Sequence, residues 1–600
     1  MESVGAEYFN ELLFRSLIEK DKTTAEEKFR MHDLIYDLAR PVSEKSSCYF
    51  EGDEIAGSVR HLSFLRQRFD IYKKFEGLHE RNCLRTFLPH VQFLNTDYYL
   101  SKTVSHDWLP KQRCLRTLSL SNYKNIVELP KSVGNLVLLR YLDLSYTSIK
   151  NLPDEIFELY NLQTLKLSNC KSLMELSRQI GNLVNLRHLD ISDTNLVEMP
   201  AEICRLQDLR TLTSFIVGEE DGLRISELRK FPYLQGKLSI LKLHNVVDPM
   251  DAFQANLKNK EQIEELMLEW GSDPQDSQAE KDVLDNLQPS TMLKKLSIRY
   301  YNGTSFPKWL GDSSYCNVRV LWISDCNYCL SLPPFGQLPS LKELVVERMK
   351  MVKTVGQEFY CSNASCPSFQ PFPLLESLEF EEMSEWEEWV PFEGSNFPFP
   401  CLKSLCLSKC PLLRGNLPNG LPSLKEVRIK ECNQFDGFVS IEKCDSLQCL
   451  PRMILNANSL RRLNLRNIKS LISLPADGLP TSVEALRIDL STLGDEEVVN
   501  TLLRESSLPT SLTYLRLWNF DGLKRLEGKG LQHLTSLKTL YIFECGSLES
   551  LPEDQLPSSL ELLCIISCPL LEERYGNEKG KHFTKIAHIP AIQINDQVII

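Results

Sequence analysis

Long apolar stretches are missing from this sequence. No run of about 18 or more consecutive apolar residues occurs in its 600 residues, so the sequence predicts no transmembrane helix. The opening residues, MESVGAEYFNELLF, also have neither the basic start nor the apolar stretch of a signal peptide. Both absences predict a protein that stays inside the cell, and we expect it in the cytoplasm.

An excess of positive charge is missing as well. The chain has 68 Lys and Arg against 80 Asp and Glu, which gives a formal net charge of −12. A dedicated surface for nucleic acid or anionic lipid needs the opposite balance. We therefore expect no nucleic-acid partner.

Catalytic motifs are also absent. The sequence contains neither H-E-x-x-H nor G-x-S-x-G, no protein-kinase motif and no complete phosphate-binding loop. Its ten histidines are scattered, and the C-x-x-C formed by Cys326 and Cys329 has no second pair nearby at zinc spacing. The sequence therefore predicts a protein that is not an enzyme and has no metal site.

What the sequence does contain is a repeat. Between Cys114 and Leu212 the pattern L-x-x-L-x-L recurs, with first leucines 24, 23, 24 and 23 residues apart. This pattern at this period is typical of leucine-rich repeats. The four regular triplets and the looser fifth begin at Leu115, Leu139, Leu162, Leu186 and Leu209.

The spacing inside each repeat predicts the fold. In L-x-L both leucines face one side of a short strand, and the remaining leucines of the repeat lie in the returning arm. Each coil therefore holds half a core, which only a neighbouring coil can complete. The sequence predicts an α/β solenoid of about twenty coils with a parallel sheet on its concave face. The alternating apolar residues of FTKIAHIPAIQIND predict a capping strand at its end.

Cysteines recur at one position of the repeat. The third residue after the last leucine of a triplet is Cys170, Cys326, Cys410, Cys432, Cys545 or Cys568 in six repeats, and Thr147 or Thr194 in two others. This is the asparagine-or-cysteine position of the pattern, where the chain leaves the strand. We expect these cysteines to be buried free thiols rather than disulfides or metal ligands.

The strand positions between the buried leucines should form the binding face. In the later repeats several are aromatic or basic, the residue types that dominate binding hot spots. An alternative is that inserts or neighbouring coils cover some of them. The candidate partner-binding residues are Lys295, Arg299, Trp322, Tyr514, Arg516, Trp518, Tyr541 and Phe543. The acidic segment EFEEMSEWEEW (379–389) is interpreted as a solvated loop pinned by Trp386 and Trp389. The alternative is that it docks a basic patch on a partner or on the nucleotide-binding module.

The first 45 residues do not fit the repeat. They predict two short helices, EYFNELLFRSLIEK and FRMHDLIYDLARPV, on either side of a polar hairpin, with Pro41 ending the second. Gly5, Tyr8, Phe9, Glu11, Leu12, Arg15 and Ser16 match G-x-x-Y-F-x-E-L-x-x-R-S, and Met31, His32 and Asp33 spell M-H-D. With the block 226–311, these motifs resemble plant intracellular disease-resistance receptors of the coiled-coil, nucleotide-binding (NB-ARC), leucine-rich-repeat family.

The resemblance implies a function and a site. It implies that a small winged-helix-like fragment, the end of the nucleotide-binding module, precedes the solenoid. It further implies that His32 contacts the phosphate of bound ADP and that Asp33 is its neighbour in the latch. Because the complete phosphate loop of the family is not in these 600 residues, we expect no cofactor in this chain. ADP or ATP would bind only where an upstream phosphate-loop module is present.

The expected partners follow from the same resemblance. The solenoid would recognise a pathogen effector or a guarded host protein, and in a full-length receptor it would contact the NB-ARC module and restrain an ADP/ATP switch. Two alternatives are a stand-alone repeat scaffold and a residual ADP-binding switch that uses His32. The expected organisation is a truncated winged-helix remnant (1–45), irregular repeats (46–113), regular repeats (114–217), irregular repeats with insertions (218–400), and C-terminal repeats with a cap (401–600).

Overall fold

The fold was analysed in a computed structural model of the chain. It falls into two compact units, Met1–Leu238 and Ser239–Ile600, which are described separately. The structure describes residues 2–20, 29–43, 47–50, 59–78, 83–90, 97–219, 222–271, 277–362, 369–394, 397–414, 421, 423, 426–430, 432, 441–442, 461–466, 479, 481–489, 508–519, 524–526, 529–576, 582–595 and 597–599.

The first unit opens with a small helical fragment. Helix Glu2–Phe14 leads into an antiparallel hairpin of strands Ile18–Lys20 and Phe29–Met31, and helix Asp33–Ser43 follows. This confirms the two helices around a hairpin that the sequence predicts. The second helix runs two residues past Pro41, so the expectation that Pro41 ends it was wrong.

The rest of the first unit is built on a parallel sheet of eight strands. Leu118, Leu142, Leu165 and Leu189 lie directly opposite one another on adjacent strands and are fully buried. The leucines therefore mark the alternate strand positions whose side chains point into the core. The strands are Ser47–Phe50, His61–Leu65, Thr86–His90, Thr117–Ser119, Tyr141–Asp143, Thr164–Lys166, His188–Asp190 and Thr211–Leu212. Three short strands, Phe69–Asp70, Tyr99–Leu100 and Ser214–Ile216, lie outside this sheet.

The returning arms of the regular coils contain short 3-10 helices, each of which buries an apolar side chain. The coils are stacked so closely that a Cβ on Gly134 would lie 2.8 Å from Cβ of Glu155 in the next arm. The helices of this unit are Tyr72–Leu78, Leu109–Lys111, Lys131–Asn135, Asp154–Glu158, Arg178–Asn182, Ala201–Arg205 and Ile225–Lys230, with a π-helix at Thr103–Trp108.

One left-handed residue ends each regular strand. Asn122, Tyr146, Asn169 and Asp193 have φ of 63°, 60°, 58° and 56° and stand two positions after the last leucine or isoleucine of the triplet. The next residue turns into the coil, and its side chain caps the strand. Thr147 Oγ1 donates to the carbonyl of Leu144 at 2.7 Å, and Cys170 Sγ donates to the same carbonyl at 3.1 Å.

The second unit contains a longer sheet, which includes Gly236–Leu241 and is parallel from Ile263–Glu269 to Ala591–Ile594. The predicted capping strand is confirmed as Ala591–Ile594. Gln597–Ile599 pairs antiparallel with it, so the two strands form a hairpin. The strands between Gly236–Leu241 and Ala591–Ile594 are Ile263–Glu269, Lys295–Arg299, Val320–Ser324, Glu343–Glu347, Ser377–Glu381, Ser404–Ser408, Glu426–Lys430, Ile441–Glu442, Arg462–Arg466, Ala485–Asp489, Tyr514–Trp518, Thr539–Phe543 and Leu562–Ile566.

Helices of the second unit lie in the connections between its strands. They are α-helices Pro249–Gln254, Ser277–Asn286, Gln357–Tyr360, Lys529–Gln532 and Pro569–Tyr575, and 3-10 helices Leu243–Asn245, Leu257–Asn259, Phe335–Gln337, Glu553–Gln555 and Phe583–Lys585. The two units together confirm the predicted α/β leucine-rich-repeat solenoid. It has long parallel sheets and is preceded by a winged-helix fragment.

The acidic segment 379–389 differs from the expected loop. Glu379 and Glu381 belong to strand Ser377–Glu381 of the main sheet. Trp386 and Trp389 are buried against Phe380, with ring centroids 4.7 and 5.4 Å away. The loop interpretation was therefore wrong for its first residues, because the apolar alternation of the strand continues through them. It was also wrong for its last two, because strand Glu388–Trp389 pairs in parallel with strand Thr354–Val355. The pinning by two tryptophans is confirmed.

A single carboxylate ties the last coils together. The Glu553 side chain is 6% exposed and forms ion pairs with Lys585 at 2.7 Å and Arg574 at 3.3 Å. The Tyr575 hydroxyl donates to the same carboxylate at 2.7 Å. Burial alone would raise the pKa of Glu553, but the hydrogen bonds from Lys585, Tyr575 and Arg574 lower that pKa to about 2. The charged carboxylate therefore holds the helix Pro569–Tyr575 and the cap.

We predict that Glu553→Gln loosens the C-terminal cap by about 2 kcal/mol, the worth of hydrogen bonds to a buried charge. Amide hydrogen exchange in strand Ala591–Ile594 measures the change. The matched control is Glu561→Gln, because Glu561 pairs with Lys538 in an exposed salt bridge whose side chains are 60% and 59% exposed. Equal effects of both variants would contradict the role given to Glu553.

The same carboxylate predicts a pH dependence. An unfolded glutamate titrates near pH 4.3, and the folded pKa of Glu553 is lowered to about 2. Its contribution is therefore complete above about pH 4.3 and is lost as the pH falls towards 2. We expect wild type and Glu553→Gln to differ in cap exchange at neutral pH and to converge near pH 2. A constant difference across this range would contradict the assignment.

Candidate functional site

The predicted binding residues lie on one face of the second sheet. The leucines of each strand point inward, so the first, third and fifth residues of a five-residue strand point to the other side. We call this side the open face. In strand Tyr514–Trp518, Leu515 and Leu517 are buried, while the three residues alternating with them are only half-buried.

Five of the predicted residues come together at strands Tyr514–Trp518 and Thr539–Phe543. The rings of Tyr514 and Tyr541 are 5.5 Å apart, and those of Trp518 and Phe543 are 5.4 Å apart. The Arg516 guanidinium lies 4.7 Å from the Trp518 ring centre and 5.3 Å from that of Phe543. We call Tyr514, Trp518, Tyr541 and Phe543 the aromatic cluster.

The aromatic cluster is anchored at its edges. Nε1 of Trp518 donates to a carboxylate oxygen of Glu544 at 2.9 Å. Burial, with the neighbouring Cys564 thiol, raises the pKa of the Tyr541 hydroxyl, so this group stays protonated at neutral pH. The cluster therefore presents fixed rings with neutral polar edges, which cost little entropy to hold in a complex.

The other three predicted residues form a separate site on the same face. Arg299 lies 5.1 Å from the centre of the Trp322 ring, one strand away, and Lys295 stands at the other end of the Arg299 strand. Nε of Arg299 and Nε1 of Trp322 are buried without a hydrogen-bond partner among the described residues. Seven strands of the sheet separate these residues from the aromatic cluster, so the eight predictions do not form one site.

Sequence reasoning missed a group of arginines beside the aromatic cluster. Arg428, Arg462, Arg487 and the predicted Arg516 all stand on the open face, and we call them the arginine patch. A cavity of about 770 Å³ lies among the first three and Tyr514. The signal available was an arginine between two apolar residues, in Val427-Arg428-Ile429, Leu486-Arg487-Ile488 and Leu515-Arg516-Leu517. The degenerate repeats around these phrases hid it.

Carboxylates occupy the open face on earlier strands. Glu343 and Glu347 lie on one strand and Glu379 and Glu381 on the next, with Glu347 directly opposite Glu381. Burial raises the pKa of Glu379, and the neighbouring Glu381 adds to the shift. The open face therefore changes sign along the sheet, from carboxylates to guanidiniums and then to aromatic rings.

His32 lies at the start of the second helix of the winged-helix fragment. It is exposed, and its Nδ1 accepts a hydrogen bond from the Leu34 N–H at 3.3 Å. Its carbonyl accepts from the N–H groups of Ile35 and Tyr36, both at 2.9 Å. The side chain of Asp33 lies outside the described residues. The structure thus places His32 as a helix cap.

The cysteines of the repeat are buried thiols, as expected. Disulfides are absent among the six described ones, each of which is at most 1% exposed: Cys170, Cys326, Cys410, Cys432, Cys545 and Cys568. Cys329 donates to the carbonyl of Gly303 at 3.0 Å, and burial raises the pKa of both the Cys326 and the Cys329 thiol. Within the described part of the chain, no group of three or more His, Cys, Asp or Glu side chains could hold a metal ion.

Comparison with known families matches both parts of this structure. Residues 1–39 match the disease resistance protein winged helix domain, residues 138–196 a leucine rich repeat, and residues 225–349 the R13L1/DRL21 leucine-rich repeats. The chain belongs to the plant disease-resistance proteins of the coiled-coil, nucleotide-binding, leucine-rich-repeat family. It corresponds to their winged-helix and leucine-rich-repeat regions, so the resemblance expected from the sequence is confirmed.

Similar proteins come from two plants. Disease resistance RPP13-like protein 1 of Arabidopsis thaliana is 39% identical over 96% of this chain and 52% of its own length. Disease resistance protein RGA1 of Solanum bulbocastanum is 32% identical over 78% of this chain and 45% of its own length. The chain spans about half the length of these curated relatives.

Among solved structures, the leucine-rich-repeat protein LIC12759 of Leptospira interrogans is 21% identical and covers 70% of this chain and 87% of its own, with a TM-score of 0.39. Of the helices that the structure describes, none is long and apolar enough to cross a membrane.

We predict that alkylation separates the exposed from the buried thiols. Cys316 is exposed, whereas Cys326 and Cys329 are buried with raised pKa values, so they lack both access and thiolate. Iodoacetamide should label Cys316 in the native protein, and should label Cys326 and Cys329 only after unfolding. Peptide mass spectrometry measures this, and native labelling of Cys326 as fast as Cys316 would contradict the buried position.

Proposed function

We propose that the open face of the solenoid binds a pathogen effector or a host protein that an effector modifies, as the sensing part of a plant immune receptor. The observation that carries this proposal is the aromatic cluster with Arg516 at its centre. Interface hot spots are rich in aromatic side chains and arginine, and here fixed, half-buried aromatic rings surround an arginine. They stand on adjacent strands of a rigid sheet rather than on loops, which favours a preformed binding surface.

The winged-helix fragment supports a receptor over a stand-alone scaffold. Several of its apolar side chains are exposed, with Phe14, Leu34 and Leu38 at 91%, 67% and 71%. Exposed apolar patches mark surfaces that another body covers. We propose that in a full-length receptor this fragment packs against the rest of the NB-ARC module, and that the solenoid contacts this module and restrains its ADP/ATP switch in the cytoplasm.

Nucleotide binding by these 600 residues alone is not part of the proposal. His32 caps a helix in an exposed position, and the sequence holds no complete phosphate loop to surround a phosphate. We predict no saturable heat when residues 1–600 are titrated with ADP to millimolar concentration in a calorimeter. Saturable binding that His32→Ala abolishes would contradict this prediction and favour the residual switch.

The partner-binding proposal predicts which side chains matter. Tagged chain expressed in leaf tissue is used to recover partners that are quantified by mass spectrometry. A true partner should be lost on Trp518→Ala and on Tyr541→Ala, each by at least about 30-fold in affinity, the effect of a 2 kcal/mol hot spot. The matched control is Phe253→Ala, since Phe253 is 62% exposed on helix Pro249–Gln254, away from the sheet. Partners that survive both cluster variants would contradict the proposal.

A further inference from the structure

The arginine patch places two like charges opposite each other, which is unfavourable for the fold. Arg487 and Arg516 lie directly opposite each other on adjacent parallel strands and point to the same face. Like charges directly opposite on a sheet destabilise it. Asn464 lies opposite Arg487 on the preceding strand, so the neighbour of this pair on that side is an amide and not a carboxylate.

Among the described side chains, three arginines of the patch, Arg462, Arg487 and Arg516, are not neutralised by an internal partner. Among the described side chains, no carboxylate forms an ion pair with Arg462, Arg487 or Arg516, whereas the neighbouring Arg461 pairs with Glu484. Arg487 lies 5.7 Å from the centre of the Tyr514 ring, and Arg516 lies over Trp518 and Phe543. Nε of Arg516 is buried without a hydrogen-bond partner among the described residues. The rings therefore orient the guanidiniums without neutralising them.

The surroundings restrict what could neutralise them. The cavity of about 770 Å³ opens among Arg428, Arg462 and Arg487, and the aromatic cluster borders it through Tyr514. On the other side, the acidic strands carrying Glu347 and Glu379 face the same way. A long uniform polyanion lying along the sheet would meet those carboxylates. A short anionic stretch followed by apolar groups would meet guanidiniums and then rings.

We propose that the arginine patch and the aromatic cluster together bind an acidic segment of a partner polypeptide. Its Asp or Glu carboxylates would pair with Arg462, Arg487 and Arg516, and a following aromatic or aliphatic residue would pack on the cluster. From strand Arg462–Arg466 to strand Thr539–Phe543 there are three strand spacings, roughly 14 Å, or about four extended residues. This inference rests on the proposed function, because it names the chemistry of the partner at the same face.

The chemistry predicts both strength and direction. Guanidinium–carboxylate pairs are charge-assisted and often bidentate, and they weaken as salt screens them. The acidic end of the segment should lie towards Arg462 and its apolar end towards Phe543. A peptide with the reverse order would place its apolar residues on cations.

A peptide binding assay on the full chain tests the inference. The probe is a fluorescein-labelled ten-residue peptide with four Asp and Glu residues followed by two aromatic residues, measured by fluorescence anisotropy. Two control peptides are compared with it. The amide twin has Asn and Gln in place of the Asp and Glu residues, and the reversed twin has the aromatic residues before the acidic ones. We expect the acidic peptide to bind at least about 10-fold tighter than either twin, and to weaken between 50 mM and 500 mM salt.

Charge-reversal variants locate the binding. Arg487→Glu and Arg516→Glu should each weaken the acidic peptide at least about 10-fold, and Arg487→Gln should weaken it less. The controls Lys258→Glu and Lys308→Glu change the net charge equally at exposed positions off the sheet and should leave binding unchanged. Circular dichroism melts establish that each variant is folded.

Several results would overturn the inference. They are no saturable binding of the acidic peptide to 1 mM, equal binding of the amide twin, tighter binding of a heparin oligosaccharide than of the peptide, and equal losses in the control variants. A partner that depends on Trp518 but not on Arg487 or Arg516 would leave the proposed function intact and refute only the acidic chemistry. Loss of all partner dependence on the open face would refute both.

Discussion

The stacking of incomplete coils is the constraint on which the rest of this structure depends. A single repeat has inward leucines on its strand and apolar residues in its returning arm, and neither set is covered without a neighbour. Burial of Leu142 or Leu515 therefore requires the coils before and after it. Because the core uses only alternate strand positions, the remaining positions are free to vary in chemistry. The open face, with its carboxylates, guanidiniums and rings, is a consequence of this division.

Much of the fold could be predicted because the same residues state it repeatedly. The L-x-x-L-x-L phrases fix both the strands and their register, so Leu118, Leu142, Leu165 and Leu189 align as the pattern requires. The position three residues after the last leucine is equally predictable, since a small polar side chain or thiol caps the strand there in the regular repeats. Tyr123 also occupies this position, buried and donating to Asp70 at 2.7 Å, which the pattern does not predict.

The site was less predictable, because function on an open face depends on neighbours far apart in the sequence. Trp518 and Phe543 stand out as aromatic residues at outward positions, but their grouping with Arg516 follows from register between strands 25 residues apart. Arg487 lies between two apolar residues in Leu486-Arg487-Ile488, but neither this phrase nor the sequence around Arg462 shows that the two arginines stand on neighbouring strands. The acidic run around Glu379 favours a loop, although the apolar alternation of Leu378 and Phe380 continues the strand through it. The grouping of the arginines depends on pairing between strands, whereas the error at Glu379 concerns the local pattern.

The measurement that tests the account most directly compares the stabilities of two neighbouring single variants, Leu515→Ala and Arg516→Gln. The account holds that inward positions maintain the solenoid and that the arginine patch serves binding at some cost to the fold. It predicts that Leu515→Ala lowers the free energy of unfolding by about 2–5 kcal/mol. Arg516→Gln should change it by less than about 1 kcal/mol or raise it, since a repulsion with Arg487 is relieved. If Arg516→Gln destabilised the chain as much as Leu515→Ala, the open face would be part of the fold's support, and the division between core and binding positions would be wrong.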